Sequence, residues 1–501
     1  MKKHDILENI KVEKLIFGGS GLATASDGRK IIISGGAIPD AVVDLRIIKA
    51  KKNHLEAQIY RTVKRSPLEL DIPSNWQLYG GCKWLPIPYP KQLEIKEQQI
   101  TEAFHSLREE TADTSWHPII RSPDSEHYRN KVEFSWGKYI SEREWIHDEY
   151  RFGFHVQGQF DRIEDCWYCV LADNLMNQVF RDIDAMARET NIPTYDPKTG
   201  IGFWRHLVIR QAKKTGEMMI IFSVNGVFES GNVAIQWTKE YLLTSMVQQL
   251  SKKYSFIASI YFLENTGRAD IVQWNQVLLH GKTTITDELL GLTFEIQPKS
   301  FFQVNTLGAE KLYSSVIDSI HHKWGILLDL YAGTGTIGIL LASGFKTVYS
   351  VELVASSSED GQKNAVRNNV WNIEFVNSKV EDFAKQFASE WGRADTIVLD
   401  PPRDGLHASA IPHILAFWAR EIIYVSCNPA TLVRDISIML GRDVSHQAVD
   451  TDATESMVSD LHKKEIPTIK NIPEYRISDI TPMDMFPHTH HIETVVRLER
   501  I

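Results

Sequence analysis

Cysteine is scarce in this chain. Four residues, Cys82, Cys166, Cys169 and Cys427, are spread unevenly over 501 positions, which excludes a disulfide framework. Long apolar runs are lacking as well. No stretch approaches the length of about 18 consecutive apolar residues that a membrane span needs, and the start MKKHDILENI has no apolar signal core. A cytoplasmic protein is expected. Basic charge is also short, with 55 Lys and Arg against 64 Asp and Glu and a net charge of −9, which argues against a protein that simply coats nucleic acid. The deficit is uneven. Residues 1–66 carry 13 Lys and Arg against 7 Asp and Glu, a surplus of 6, whereas the remainder holds 42 against 57, a deficit of 15. A small basic module on an acidic body suits local contact with phosphates.

What is present is ordinary globular composition, 43% hydrophobic and 24% charged, and a length that suits about three domains. From Lys11 to Arg65, short apolar stretches alternate with Gly-Gly and Pro-Asp turns. Five short strands of this kind predict a small β-barrel of the oligonucleotide-binding type over residues 1–66. A turn-rich, Pro-rich segment (67–90) follows, then a helix from Lys91 to about Leu107. Residues 67–290 read as a central α+β domain, in which RHLVIRQAKKTGEMMIIFSV forms a hairpin with Thr215-Gly216 at its tip. Residues 291–501 change texture: apolar strands of four to seven residues alternate with helical segments, which predicts a parallel, doubly wound, Rossmann-like sheet. Ligands of such sheets bind beyond the carboxyl ends of the strands. Asp329, Glu352, Asp400 and Cys427 all fall near such ends.

The stretch DLYAGTGTIG (329–338) has glycines at 333, 335 and 338, which permit close backbone approach to a ligand. Glu352 ends the next strand about 20 residues on, where an acid can hold both ribose hydroxyls. An adenosine-containing cofactor is expected, with NAD and S-adenosylmethionine both open at this point. DPPR (400–403) sets two prolines after a strand-end acid, a rigid shelf suited to a methyltransferase acting on a planar base. In YVSCNPATL (424–432), Cys427 is either a core thiol or part of the site, and its strand-end position favours the site.

Taken together, SFFQVNT (300–306), DLYAGTGTIG, VEL with KNAVRNN (351–353 and 363–369), DPPRDGL (400–406), VSCNPATLVRD (425–435) and FPHTHHIETVVRLER (486–500) resemble the RNA uridine-C5 methyltransferases. The basic N-terminal segment resembles the TRAM domain, and YRNKVEFS and ADIVQ resemble landmarks of the central domain. The resemblance implies S-adenosylmethionine as cofactor and 5-methyluridine as product. It makes Cys427 the nucleophile that adds to uracil C6 and Glu493 the base that removes the C5 proton. Gln303, Tyr331, Gly333, Glu352 and Asp400 are implied as cofactor contacts, and Phe301 or Phe302 as the ring that stacks on an unstacked uracil. His488, His490 and His491 lack the partners of a metal site and read as a His-rich loop near RNA.

The chain departs from that pattern in two places. Ala332 replaces a common cysteine in the glycine turn. Many TRAM-bearing relatives hold a [4Fe–4S] cluster with four cysteines; here only Cys82 and Cys166 match ligand positions, while Pro73 and Tyr79 occupy two others and Cys169 is extra. No intact cluster and no metal are expected, and the loop near 73–82 reads as degenerate. RNA is the implied partner, with 23S rRNA favoured over the T-loop uridine of tRNA. A noncatalytic RNA-binding ribosome-assembly factor is the reading from another class. A monomer without membrane attachment is expected.

Overall fold

The computed structural model describes all residues except 73–80, 142–145, 157–158, 160, 226–233, 266, 268–274, 391 and 443–472. Pro73, Tyr79 and the ADIVQ stretch therefore lie outside the described residues. The chain forms two compact units, one of residues 1–68, 87–123 and 307–501, the other of residues 69–86 and 124–306. This division differs from the three expected segments. Residues 87–123 join the first unit, because helix α1 (Tyr89–Ala103) and strand β7 (Ser115–Trp116) pack there, and residues 291–306 stay with the second. No helix among the described residues is long and apolar enough to cross a membrane.

In the first unit, β1 (Ile6–Lys11), β2 (Lys14–Leu15), β3 (Gly21–Thr24), β4 (Lys30–Ser34), β5 (Val42–Ala50) and β6 (His54–Lys64) form a six-stranded sheet in the order β1-β5-β6-β4-β3-β2. Period-2 alternation buries Ile31 and Ile33 of β4, Val43, Leu45 and Ile47 of β5, and Leu55 and Ala57 of β6. The sequence suggests five strands, and β1 is the one that starts before Lys11. Its Ile6 is exposed, none of its residues is buried and its apolar residues do not alternate, so only pairing with β5 reveals it. The sheet is lashed to α1 by Lys14 Nζ on Glu102 (2.8 Å) and by Gln99 Nε2 on the Leu15 carbonyl (3.0 Å).

The second unit holds a seven-stranded sheet of β8 (Lys131–Ser141), β9 (Ile146–His155), β10 (Ile163–Asp165), β11 (Trp204–Gln211), β12 (Met218–Asn225), β13 (Ile257–Asn265) and β14 (Asn275–Gly281), in the order β10-β9-β8-β11-β12-β13-β14. Thr215-Gly216 does lie in the β11–β12 connection, with Gly216 at φ 77°. Phe134, Trp136, Phe152, Phe180 and Trp204 stack into an aromatic core between this sheet and α2 (Asn174–Glu189). Helix α3 (Ala234–Lys253) and a hairpin of β15 (Ile285–Leu289) and β16 (Leu292–Ile296) complete it.

Past α4 (Thr306–Ser319), the first unit continues with β17 (Ile326–Leu330), α5 (Thr336–Leu341), β18 (Thr347–Glu352), α6 (Ala355–Arg367), β19 (Ile373–Asn377), α7 (Val380–Glu390), β20 (Thr396–Leu399), α8 (Ala410–Leu415), β21 (Glu421–Ser426), α9 (Pro429–Met439), β22 (Tyr475–Met483) and β23 (Glu493–Arg500). The eight-stranded order is β19-β18-β17-β20-β21-β23-β22-β7. Strands β17 to β21 are parallel, and β23 enters antiparallel to β21. The chain winds one way from β17 and then returns to start again at β20, so a topological switch point lies between β17 and β20.

At the far end of β21 a buried ion pair joins the strands. Arg497 Nε lies 3.0 Å from Glu421 Oε2, and both side chains are almost wholly buried. The same carboxylate accepts the backbone N–H groups of His321 and His322 and the Thr396 hydroxyl. Arg497→Met strands that carboxylate, a loss of about 3–5 kcal/mol. Urea denaturation is expected to show a lower midpoint with an unchanged slope.

Candidate active site

The Gly-rich turn begins with a conformational constraint. Tyr331 takes a left-handed φ of 60°, and Gly333 and Gly335 follow at 56° and 66°. Such angles suit glycine and cost a tyrosine on the order of 1–2 kcal/mol. The Gly333 N–H donates to Glu352 Oε2 (2.9 Å), and the Val354 N–H donates to Oε1 (2.8 Å). Glu352 is thereby aimed at the turn from the end of β18. A Cβ on Gly333 would meet nothing within 4 Å, whereas one on Gly335 would lie 2.5 Å from the Phe375 ring and one on Gly338 2.7 Å from Asp329 Oδ2. Open space thus lies over Gly333 alone of the three. Beneath it, buried Asp329 accepts from the Gly338 N–H (3.0 Å), while its Oδ1 has no partner. Burial, with Asp400 and Glu352 nearby, pushes its carboxyl up to about 7.

Cys427 sits between β21 and α9, and its turn is bound on both sides. Asn428 caps α9 by accepting from the Ala430 N–H (3.1 Å), and Pro429 starts the helix. The Asn428 amide and the Thr431 hydroxyl both donate to the Arg403 carbonyl, at 3.0 and 3.2 Å. The Cys427 turn and the DPPR loop are therefore one rigid piece. Asp435 of α9 extends it, accepting from the Leu406 N–H and the Tyr424 hydroxyl, each at 2.7 Å, and pairing with Arg434.

Pairing of β21 with β23 completes the site. Ser426 is the register partner of Thr494, so the next residue on, Cys427, comes opposite Glu493. Both lie beside the β20 end that carries Asp400. Glu493 is only 6% exposed; burial and then the Asp400 charge push its carboxyl up to about 8, opposed by Arg403. Burial also raises Asp400 to about 7. The Cys427 thiol is pushed up to about 11 by burial, then by Glu493 and Asp400, again against Arg403. The resting site is a protonated thiol amid two partly protonated acids.

Sequence reasoning quoted Arg403 within its motif and gave it no role. It is the cation that opposes the acids at both Cys427 and Glu493, and a base following a strand-end acid was the available signal. The three histidines of 488–491 divide. His488 is buried and hydrogen-bonded to Gln92, not displayed on an RNA-facing loop. His490 packs edge-on to Phe17 at 6.4 Å, and His491 lies against Arg403.

Phe301, Phe302 and Gln303 belong to the second unit. Phe301 is 63% exposed, whereas Phe302 is buried against Phe294, so only Phe301 is free to stack on a base. That unit also has a cavity of about 300 Å³ lined by Cys82, Leu85, Arg129, Lys131, Phe154 and Cys169. Cys169, rather than Cys166, shares this cavity with Cys82. Among the described residues no group of three or more His, Cys, Asp or Glu is placed to hold a metal, so the residues present do not fit a four-cysteine cluster.

The tRNA (Uracil-5-)-methyltransferase family model matches residues 272–449. An uncharacterized RNA methyltransferase of Clostridium tetani is 33% identical over 98% of this chain and 97% of its own length. Another, from Porphyromonas gingivalis, is 32% identical over 93% and 94%. In fold, the chain is similar to the Pyrococcus abyssi tRNA (uracil-54, C5)-methyltransferase solved with S-adenosyl-L-homocysteine, with a TM-score of 0.69, 24% identity, and coverage of 98% of this chain and 100% of that one.

The charges predict opposite effects on thiol reactivity, since each pKa unit is worth about tenfold in thiolate at fixed pH. Glu493→Gln is expected to speed iodoacetamide alkylation of Cys427 at pH 8, and Arg403→Ala to slow it. Peptide mass spectrometry at Cys427 reads both.

Proposed function

The chain belongs to the RNA uracil-C5 methyltransferases, and on that premise we propose that it methylates C5 of a uridine in RNA through a covalent Cys427 adduct. The observation that supports this reading is the β21–β23 register, which brings Cys427 opposite Glu493.

The turn fits an adenosine cofactor, because it leaves open space over Gly333 and a buried Asp329 oxygen without a partner. Glu352 would hold the ribose, with Tyr331 and Gly333 beside it and Asp400 toward the reacting end. When bound, S-adenosylmethionine supplies an electrophilic methyl group on a sulfonium. The resemblance implies Gln303 for the cofactor and a stacking ring for the uracil, and the exposure of Phe301 favours it for that ring.

Cys427 acts first. Its thiolate forms a bond to uracil C6, and the C5–C6 π pair moves onto C5 and O4 as an enolate. C5 would then take the methyl group that bound S-adenosylmethionine would supply, its sulfonium becoming a neutral thioether. Glu493 next takes the C5 proton. The electrons of that C–H bond re-form the C5–C6 double bond as the C6–S bond breaks, returning the thiolate. Arg403 favours the thiolate and carboxylate forms on which both steps depend.

Large-subunit 23S rRNA is the substrate we place first, because the basic N-terminal sheet is a TRAM-like module suited to structured RNA. A T-loop uridine of tRNA is the second reading, favoured by full-length fold similarity to a tRNA enzyme. One complete site per chain makes a monomer the proposed form.

Both reacting groups must be deprotonated, and both have raised pKa values. Release of the C5 proton after methyl transfer, read as tritium from C5-labelled uridine, is therefore expected to rise with pH, inflecting near 8 for Glu493; a profile that falls over that range contradicts the assignment. The deciding experiment is mass spectrometry of the enzyme incubated with S-adenosylmethionine and 5-fluorouridine-substituted rRNA or tRNA. A C5 fluorine cannot be taken as a proton, so a methylated adduct on Cys427 is expected, and the trapped fragment identifies the RNA. Tight RNA binding without an adduct on either RNA would replace this reading with a noncatalytic assembly factor.

A further inference from the structure

Glu493 opens β23, so its position depends on the segment 484–492 that delivers the chain to that strand. This segment is held by α1, nearly 400 residues away in sequence. Lys96 of α1 and Asp484 form an ion pair at 2.7 Å with both side chains fully buried. Lys96 Nζ also lies 3.3 Å from the Phe486 carbonyl, while Asp484 Oδ1 accepts the Phe486 N–H at 3.0 Å. The pair therefore fixes a turn as well as a charge.

One turn earlier on α1, Gln92 grips the same segment twice. Its Oε1 accepts the His488 N–H at 2.8 Å, and its Nε2 donates to His488 Nδ1 at 3.0 Å and to the Ile87 carbonyl at 2.7 Å. This bidentate grip holds His488 at a left-handed φ of 64°, a backbone state uncommon outside glycine, though less so for histidine than for most residues. An acceptor Nδ1 requires the neutral imidazole with its proton on Nε2, and burial and the Lys96 cation depress the His488 pKa to about 4, in the same direction.

A buried ion pair is weak evidence for stability, since apolar residues of similar volume often serve as well. What this network supplies is geometry, since Gln92 and Lys96 each hold two groups of the segment, while His488 Nε2 and Asp484 Oδ2 have no hydrogen-bond partner among the described residues. We infer that Gln92, Lys96 and Asp484 are positioning residues for Glu493, fixing the 484–491 segment so that the base meets the C5 proton of the Cys427-bound uracil. The inference rests on the proposed role of Glu493. Misplacing a general base slows proton removal and leaves the earlier addition and methyl transfer intact.

The test uses the full-length protein, S-adenosylmethionine and RNA carrying tritium at uridine C5. Gln92→Leu removes the grip on His488. A second variant combines Lys96→Met with Asp484→Asn, which removes both charges and retains an acceptor for the Phe486 N–H. Methyl incorporation in a single turnover, tritium release to water, and S-adenosylhomocysteine affinity are measured for each. The expected result is unchanged affinity and methyl incorporation with tritium release slowed about 10²-fold, so that methylated RNA accumulates on Cys427 with ordinary uridine. Equal loss of methyl incorporation and tritium release, or loss of S-adenosylhomocysteine binding in both variants, would show a merely structural network and overturn the inference. Unslowed release in folded variants would overturn it too. If the unaltered protein forms no adduct and releases no tritium, the role of Glu493 falls first and this inference falls with it.

Discussion

One strand pairing governs the site. β21 runs parallel to β20 on one side and antiparallel to β23 on the other. The parallel side delivers Asp400 and Cys427 to the same edge of the sheet, because parallel strands end together. The antiparallel side delivers Glu493, because a strand that begins where its neighbour ends presents its first residue there. A one-residue slip of β23 would turn Glu493 to the other face of the sheet. The register is accordingly tied at both ends, by the Arg497–Glu421 pair within the sheet and by the α1 network before the strand.

Rigidity at the nucleophile comes from another source. Asn428, Thr431 and Asp435 bind the start of α9 to the loop that follows β20, mostly through backbone groups. Side chains that recognise backbone hold a loop whatever its sequence, and the Arg403 guanidinium meets His491 rather than this scaffold. The motif residues around the cysteine are thus largely scaffold, with reactivity confined to a few atoms.

Much of this was legible in the sequence, for a physical reason. Parallel strands buried on both faces must be written as short apolar runs, so β17, β18, β20 and β21 were visible with their terminal acids and the cysteine. The glycine turn was visible because left-handed backbone restricts residue choice. Long-range pairing was not. Nothing local to Lys96 announces Asp484, and nothing in Glu493 states which strand it joins. β1 escaped notice because its apolar residues do not alternate and none is buried, and the Phe301–Phe302 pair left open which ring faces solvent. The neutral, buried state of His488 contradicts the impression that a His-rich loop gives, since a histidine's surroundings and not its neighbours in sequence decide its charge.

The raised pKa values of Asp400 and Glu493 make the site a small reservoir of protons near neutral pH. A cation entering beside Asp400 favours its carboxylate, and a proton must then leave to solvent. If the proposed site takes its sulfonium beside Asp400, binding would be linked to proton release: affinity would increase with pH, and the heat of binding would depend on the ionisation enthalpy of the buffer. A neutral thioether in the same place lacks that linkage. On that placement the acids would distinguish the charged form of the ligand from its spent form by an exchange of protons, with no change of shape required.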